Sequence, residues 1–84
     1  MKIIKVSAIW CSGCLSMKKV WREIESEYPD LEIVNYDYDM DNDKVSELNV
    51  GKILPVTIFI NNGEKRLVGE QTKEQIVDVI KEMI

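Results

Sequence analysis

The sequence predicts an α/β fold with the element order β-α-β-α-β-β-α, in which helices cover both faces of a four-stranded mixed sheet. Two apolar strands separated by an amphipathic helix predict a parallel pair with a right-handed crossover. An Asn-Gly pair between the last two strands predicts an antiparallel hairpin. With 84 residues, 45% of them hydrophobic, the chain has room for a single domain over residues 1–84 and for no second core.

The first half of the chain alternates strand and helix. Lys2 to Ile9 is almost continuously apolar, which is typical of a central strand covered on both faces. The helix that follows ends at Pro29-Asp30. Its apolar stripe has spacings of three and four residues and consists of Met17, Val20, Trp21, Ile24 and Tyr28. Leu31 to Asp39 is predicted to be the second strand.

A short helix and a third strand come next. Asn42 or Asp43 is expected to cap the short helix, which stops near Gly51. The third strand is predicted from Pro55 to Ile60.

The chain then closes with a hairpin and a helix. Asn61 to Glu64 is the turn, so that Lys65 to Val68 returns antiparallel to the third strand. Thr72 and Gln75 form a capping box at the start of the terminal helix.

Composition excludes several classes of function. The net charge of −4 and a pI near 4.8 disfavour binding to nucleic acid or to an anionic membrane. No apolar run approaches the ~20 residues of a membrane span. The N-terminus lacks the apolar core of a signal peptide, so a cytoplasmic location is expected. The chain contains no histidine, which removes His-based catalysis and the commonest zinc ligand.

Cys11 and Cys14 are the only cysteines, and they flank Ser12-Gly13 at the predicted turn from the first strand into the first helix. A helix N-terminus favours a thiolate, so Cys11 is the expected nucleophile toward a disulfide. Cys14 lies within reach of it, is expected to be less exposed, and would resolve the mixed disulfide. Gly13 is expected to permit the tight turn, and Ser12 to offer a hydroxyl to the thiolate. The pair taken in isolation is also compatible with metal binding.

Four segments together resemble the thioredoxin family over nearly the whole chain: Trp10-Cys11-Ser12-Gly13-Cys14, Leu54-Pro55, Asn62-Gly63-Glu64 and Val68-Gly69. The resemblance is to a short, glutaredoxin-sized form. It implies a thioredoxin-like fold and a monomeric thiol-disulfide oxidoreductase that reduces protein disulfides without a bound cofactor or metal. A thioredoxin-reductase-type donor would supply its electrons.

The resemblance also implies roles for residues outside the cysteine pair. Pro55 would be cis and face the cysteines, the backbone of Leu54 would pair with a bound substrate strand, and Trp10 would flank the substrate surface. Lys5 stands where thioredoxins carry a buried aspartate that assists proton transfer. Its amine is expected to do one of three things: reach the surface, stabilise a thiolate or act as a base.

The cysteine pair is also compatible with two other functions. A glutaredoxin-like, glutathione-dependent reductase is disfavoured, because Ile53-Leu54 and Val68-Gly69-Glu70 replace the family's glutathione-binding residues. A metal or iron–sulfur module remains open only as a dimer, since one pair without histidine cannot complete a tetrahedral zinc site.

The four alternating aspartates between Asp37 and Asp43 invite a calcium site but lack the Gly and Glu that the calcium-loop template requires. They are therefore interpreted as a solvated strand end with a helix cap.

Overall fold

A computed structural model describes residues 1–84 and contains the predicted order β-α-β-α-β-β-α. The strands are β1 (Lys2–Ser7), β2 (Glu32–Asp37), β3 (Val56–Ile60) and β4 (Glu64–Val68), and the helices are α1 (Ser12–Glu27), α2 (Asn42–Glu47) and α3 (Lys73–Met83). None of the helices combines the length and the apolar character that crossing a membrane requires.

The sheet is mixed, as predicted, with the strand order β2-β1-β3-β4. β1 pairs parallel with β2 and antiparallel with β3, and β4 completes the hairpin with β3. The central position of β1 explains its almost continuous apolar sequence, because both of its faces are covered. The register places Lys5 between Asn35 of β2 and Thr57 of β3.

Two hydrophobic clusters lie on opposite faces of the sheet. On one face α1 and α3 pack against β1 and β3, with Trp21, Ile76 and Phe59 among the buried side chains. On the other face α2 contributes Val45. Successive residues of β1 point to opposite faces, so Ile3 belongs to the first cluster and Ile4 to the second. Buried side chains therefore cover β1 on both faces.

Of the three turn and helix-cap features that the sequence predicts, two are confirmed: the hairpin turn and the cap of α3. Asn62 takes φ +57° in the hairpin. At the start of α3 the Gln75 amide donates to the Thr72 hydroxyl at 3.2 Å, and the Thr72 amide donates to the Gln75 side chain at 2.8 Å. This pair is the predicted capping box.

The prediction for the start of α2 was wrong. Its N-cap residue is Asp41, not Asn42 or Asp43, and the Asp41 side chain makes no hydrogen bond to the helix. That carboxylate instead accepts the amide of Asp37 at 2.8 Å. This contact turns the chain away from the sheet, and β2 consequently ends at Asp37 rather than Asp39.

Candidate active site

Cys11 begins α1 as its N-cap residue. Its backbone is extended, with φ −91° and ψ 108°, and its sulfur accepts the Cys14 amide at 3.2 Å. The Cys11 amide donates to the Ala8 carbonyl at 3.2 Å, which ties the turn back to the end of β1. A sulfur therefore satisfies one of the free N–H groups at the helix start, the place that favours negative charge.

Cys11 and Cys14 form a disulfide, with their Cα atoms 5.3 Å apart. The expectation that Cys14 is the less exposed of the two was wrong: Cys11 is 7% exposed, whereas Cys14 is only partly buried. The cause is the position of each residue on the helix. The Cys11 sulfur turns back over the first turn of α1, and Cys14 lies on the side of α1 that lines a cleft.

Gly13 and Ser12, between the cysteines, contribute less to the turn and to the sulfur atoms than the sequence predicts. Gly13 lies in the first turn of α1 and is not among the residues with positive φ, so its backbone does not need the freedom of glycine. A Cβ at Gly13 would meet Pro55 at 3.5 Å, an ordinary contact distance. Ser12 is exposed, and its hydroxyl makes no hydrogen bond to either cysteine in the disulfide form.

Pro55 faces this turn from the start of β3. The Leu54-Pro55 peptide bond is cis, as the family resemblance implies. The Gly69 amide donates to the Pro55 carbonyl at 2.8 Å, which fastens the proline segment to the end of β4. Gly69 has φ +88°, a conformation that favours glycine. The side chain of Leu54 is partly buried and packs against the cluster on the α2 face.

Exposed apolar side chains flank both segments of the site. Ile9, Trp10 and Leu15 surround the cysteine pair, and Ile53 precedes the proline. These four residues are here called the apolar rim. Trp10 is 61% exposed, and its indole N–H donates to the Asp39 carboxylate at 2.8 Å. Its ring also meets Tyr38 edge to face at 6.0 Å between centroids.

A network of aspartates supports Trp10, and the sequence interpretation missed it. One carboxylate oxygen of Asp37 accepts the amides of Asp39 and Met40, both at 2.9 Å. The Asp41 carboxylate in turn accepts a hydrogen bond from the Asp37 amide. The alternating acids therefore build the turn that presents Asp39 to Trp10. The signal available in the sequence was the spacing of Asp37 and Asp39, since an aspartate often binds the amide two residues on.

Lys5 lies beneath α1 on the wall of an open cleft of about 640 Å³ that Cys14, Pro55 and Thr57 also line. Its ammonium nitrogen stands 4.6 Å from the centre of the Trp21 ring. Burial lowers the pKa of Lys5, and the charge of Glu25 partly opposes that change. The amine is thus half-buried beside Trp21, and its role stays a prediction.

The chain contains no cluster of three or more histidine, cysteine, aspartate or glutamate side chains arranged to hold a metal ion.

A mixed sheet with a Cys-x-x-Cys disulfide at the start of the helix after its central strand, faced by a cis-proline, defines the class of proteins with the thioredoxin fold. The Thioredoxin family model matches residues 1–82. The chain belongs to the thioredoxin family.

Individual relatives agree with this assignment. Thioredoxin H5 of Oryza sativa subsp. japonica is 35% identical over 69 residues, which is 80% of this chain and 50% of the rice protein. The chain thus spans about half the length of that relative. A thioredoxin of Methanocaldococcus jannaschii is 31% identical over 84 residues, covering 100% of this chain and 96% of its own. The crystal structure of a reduced Schistosoma mansoni thioredoxin has a TM-score of 0.86 at 27% identity, covering 99% of this chain and 78% of its own.

Proposed function

We propose that this protein is a thiol-disulfide oxidoreductase that reduces protein disulfides through Cys11 and Cys14. The observation that carries the proposal is the disulfide at the N-terminus of α1, where the Cys11 sulfur already accepts a backbone N–H and where Gly13, between the two cysteines, lies close to Pro55. A sulfur in this position is favoured as a thiolate, and the thiolate is the nucleophile in disulfide exchange.

The reaction divides into two exchanges. The Cys11 thiolate attacks one sulfur of the substrate disulfide, so that a mixed disulfide forms and the other substrate sulfur leaves as a thiolate that takes up a proton. Cys14 then loses its proton and attacks the Cys11 sulfur. The Cys11–Cys14 disulfide forms, and the second substrate thiol is released. Two electrons have moved from the protein to the substrate, and the disulfide described above is the product state.

The apolar rim supports protein substrates over small thiols. It places four exposed apolar side chains beside the cysteines and the proline. Apolar side chains of this kind contribute to binding when a protein partner covers them. The backbone of Leu54 makes no hydrogen bond to the rest of the backbone, so it can offer hydrogen bonds to an extended substrate segment.

The proposal also includes a class of electron donor and a cellular compartment. Regenerating the dithiol requires a reductase of the thioredoxin-reductase type. A reducing compartment suits a protein that must return to the dithiol form, so we assign it to the cytoplasm. One chain carries both cysteines, so it can act as a monomer without a cofactor.

Two cysteine variants test the roles. Cys11→Ser is expected to abolish reduction of a model protein disulfide such as insulin with dithiothreitol as the donor. Cys14→Ser is expected to accumulate a mixed disulfide with the substrate, visible by non-reducing electrophoresis and mass spectrometry. A Cys14→Ser protein that reduces the substrate at the wild-type rate, with no trapped species, would show that the roles are wrongly assigned.

A redox titration tests the direction of the reaction. Tryptophan fluorescence in dithiothreitol buffers should report a reversible two-electron transition, because Trp10 adjoins Cys11. A potential near ~−270 mV fits a cytosolic reductant, whereas ~−120 to −180 mV indicates an oxidant or isomerase. Absence of any transition, together with metal in the purified protein, would favour the dimeric metal module instead.

A further inference from the structure

We propose that Glu70 is a specificity-determining residue, which makes the protein prefer disulfides flanked by positive charge over anionic ones such as glutathione disulfide. This role rests on the proposed function and deepens it, because it names the class of disulfide that the cysteine pair accepts. Glu70 lies in the loop between β4 and α3, and its side chain reaches Gly13, between the two cysteines.

The contacts of Gly13 place the Glu70 carboxylate. Apart from the helix backbone and the adjacent residues, the three atoms nearest to a Cβ at Gly13 belong to Pro55 and Glu70. The Glu70 Oε1 atom would lie 3.6 Å from that Cβ, and the Pro55 ring 3.5 Å from it. Consecutive Cα atoms are about 3.8 Å apart, so Oε1 lies within about 9 Å of the Cys14 Cα atom. The carboxylate and Pro55 therefore border the same side of the cysteine turn.

Hydrogen bonds hold the backbone on both sides of Glu70. Before it, the Gly69 amide donates to the Pro55 carbonyl at 2.8 Å. After it, the Gln71 side-chain amide donates to the carbonyls of Val68 and Gly69, at 3.1 and 3.4 Å. The loop is thereby fastened to the proline segment, which keeps the carboxylate beside the cysteine turn.

The charge of Glu70 is not neutralised within the protein. Its side chain is exposed and takes part in none of the ion pairs of the chain. An exposed carboxylate is ionised at neutral pH. Lys18 on α1 and Lys52 before the proline segment are also exposed, but neither supplies an atom as close to the Gly13 Cβ position as Glu70 does. Negative charge therefore adjoins the cysteine turn.

A carboxylate in this place acts on the substrate as it docks. In the first exchange the Cys11 thiolate attacks a substrate sulfur, and the groups that flank that sulfur come close to the cysteine turn. Positive groups are attracted by Glu70 and negative groups are repelled, which changes the rate of productive encounter. Glutathione disulfide carries a net negative charge, so the same carboxylate disfavours it.

Three small disulfides of similar length and different charge test this preference. Cystamine is cationic, dithiodipropionate is anionic and hydroxyethyl disulfide is neutral. Each exchange converts the reduced protein to the Cys11–Cys14 disulfide and releases two small thiols, and stopped-flow tryptophan fluorescence records the rate. Dividing the rate for each charged disulfide by the rate for the neutral one removes any change in the reactivity of the Cys11 thiolate itself.

Glu70→Gln should lower the relative rate with cystamine and raise the relative rate with dithiodipropionate at about 10 mM ionic strength. Each change should be about threefold, the effect of removing one unit charge roughly 6 Å from the charged group in water, so the ratio of the two rates should fall by about tenfold. In the wild-type protein, salt at about 1 M shortens the screening length to about 3 Å and should bring the ratio close to that of the variant.

Two further variants serve as controls. Glu70→Lys reverses the charge and should shift the ratio further in the same direction as Glu70→Gln. Glu23→Gln removes an exposed carboxylate about 15 Å along α1 from Gly13, and the ratio should stay within about 1.5-fold of the wild-type value.

A cystamine-to-dithiodipropionate ratio that Glu70→Gln and Glu70→Lys leave unchanged overturns the proposed role of Glu70. An equal fall in Glu70→Gln and Glu23→Gln also overturns it, because the preference would then follow the net charge of the protein. A wild-type protein that does not react with the neutral hydroxyethyl disulfide refutes the proposed function itself, so the two failures are distinguishable.

Discussion

Replacing Asp37 with alanine should destabilise the protein and release Trp10 from its position beside Cys11. One oxygen of the Asp37 carboxylate accepts two backbone amides, those of Asp39 and Met40, both at 2.9 Å. Asp39 in turn accepts the indole N–H of Trp10. The variant therefore removes the acceptor that shapes the turn and frees the residue that orients the tryptophan.

The size of the destabilisation follows from the number of hydrogen bonds lost and from their exposure to solvent. Hydrogen bonds to a charged acceptor contribute about 1.5–3 kcal/mol each when buried, but these amides lie at an exposed turn, so about 1 kcal/mol each is appropriate. The free energy of unfolding should fall by about 2 kcal/mol, which for a domain of this size corresponds to a loss of about 8–16 °C in Tm. Urea denaturation followed by far-ultraviolet circular dichroism measures the first quantity and a thermal melt the second.

Two control variants make the result decisive. Asp37→Asn keeps one oxygen acceptor without the charge and should lie between wild type and Asp37→Ala. Asp30→Ala removes an exposed aspartate that makes no hydrogen bond within the protein, and its stability should match wild type within about 0.5 kcal/mol. If Asp37→Ala is no less stable than Asp30→Ala, the turn does not depend on the carboxylate and the reasoning fails.

Two further predictions concern stability. Thr72→Ala removes the hydroxyl that accepts the Gln75 amide and should lower the free energy of unfolding by about 1 kcal/mol in urea denaturation, whereas Thr72→Ser should retain most of it. Burial lowers the pKa of Lys5 below its ordinary 10.5, so the unfolded chain binds more protons in the interval between the folded and unfolded values. The stability of wild type relative to Lys5→Met should therefore rise with pH as it approaches 10.5. Urea midpoints measured from pH 8 to 10.5 check this, and a difference that stays flat or falls would contradict it.

Local patterns in the sequence were sufficient for the architecture. β1 is apolar on both faces because it is central, and the Thr72 capping box and the Asn62 turn depend on residues a few positions apart. Such features are set by neighbouring residues, which a sequence displays directly.

Features that depend on distant contacts were not predictable in the same way. The alternation along β1 places Lys5 on the α1 face, but only the packed helix brings Trp21 over its amine. The relative exposure of Cys11 and Cys14 depends on how α1 is rotated against the sheet. The cap of α2 was misassigned because the Asp41 carboxylate binds the Asp37 amide in preference to its own helix.

The hydrogen bond from the Cys14 amide to the Cys11 sulfur makes one atom both the proposed nucleophile and the cap at the start of α1. Changes at Cys11 therefore alter chemistry and folding together. A serine keeps an oxygen that can accept the same amide, whereas an alanine leaves that N–H without its side-chain partner and costs about 1 kcal/mol. Loss of activity in Cys11→Ser can thus be attributed to the missing thiol, while the same loss in Cys11→Ala mixes two causes.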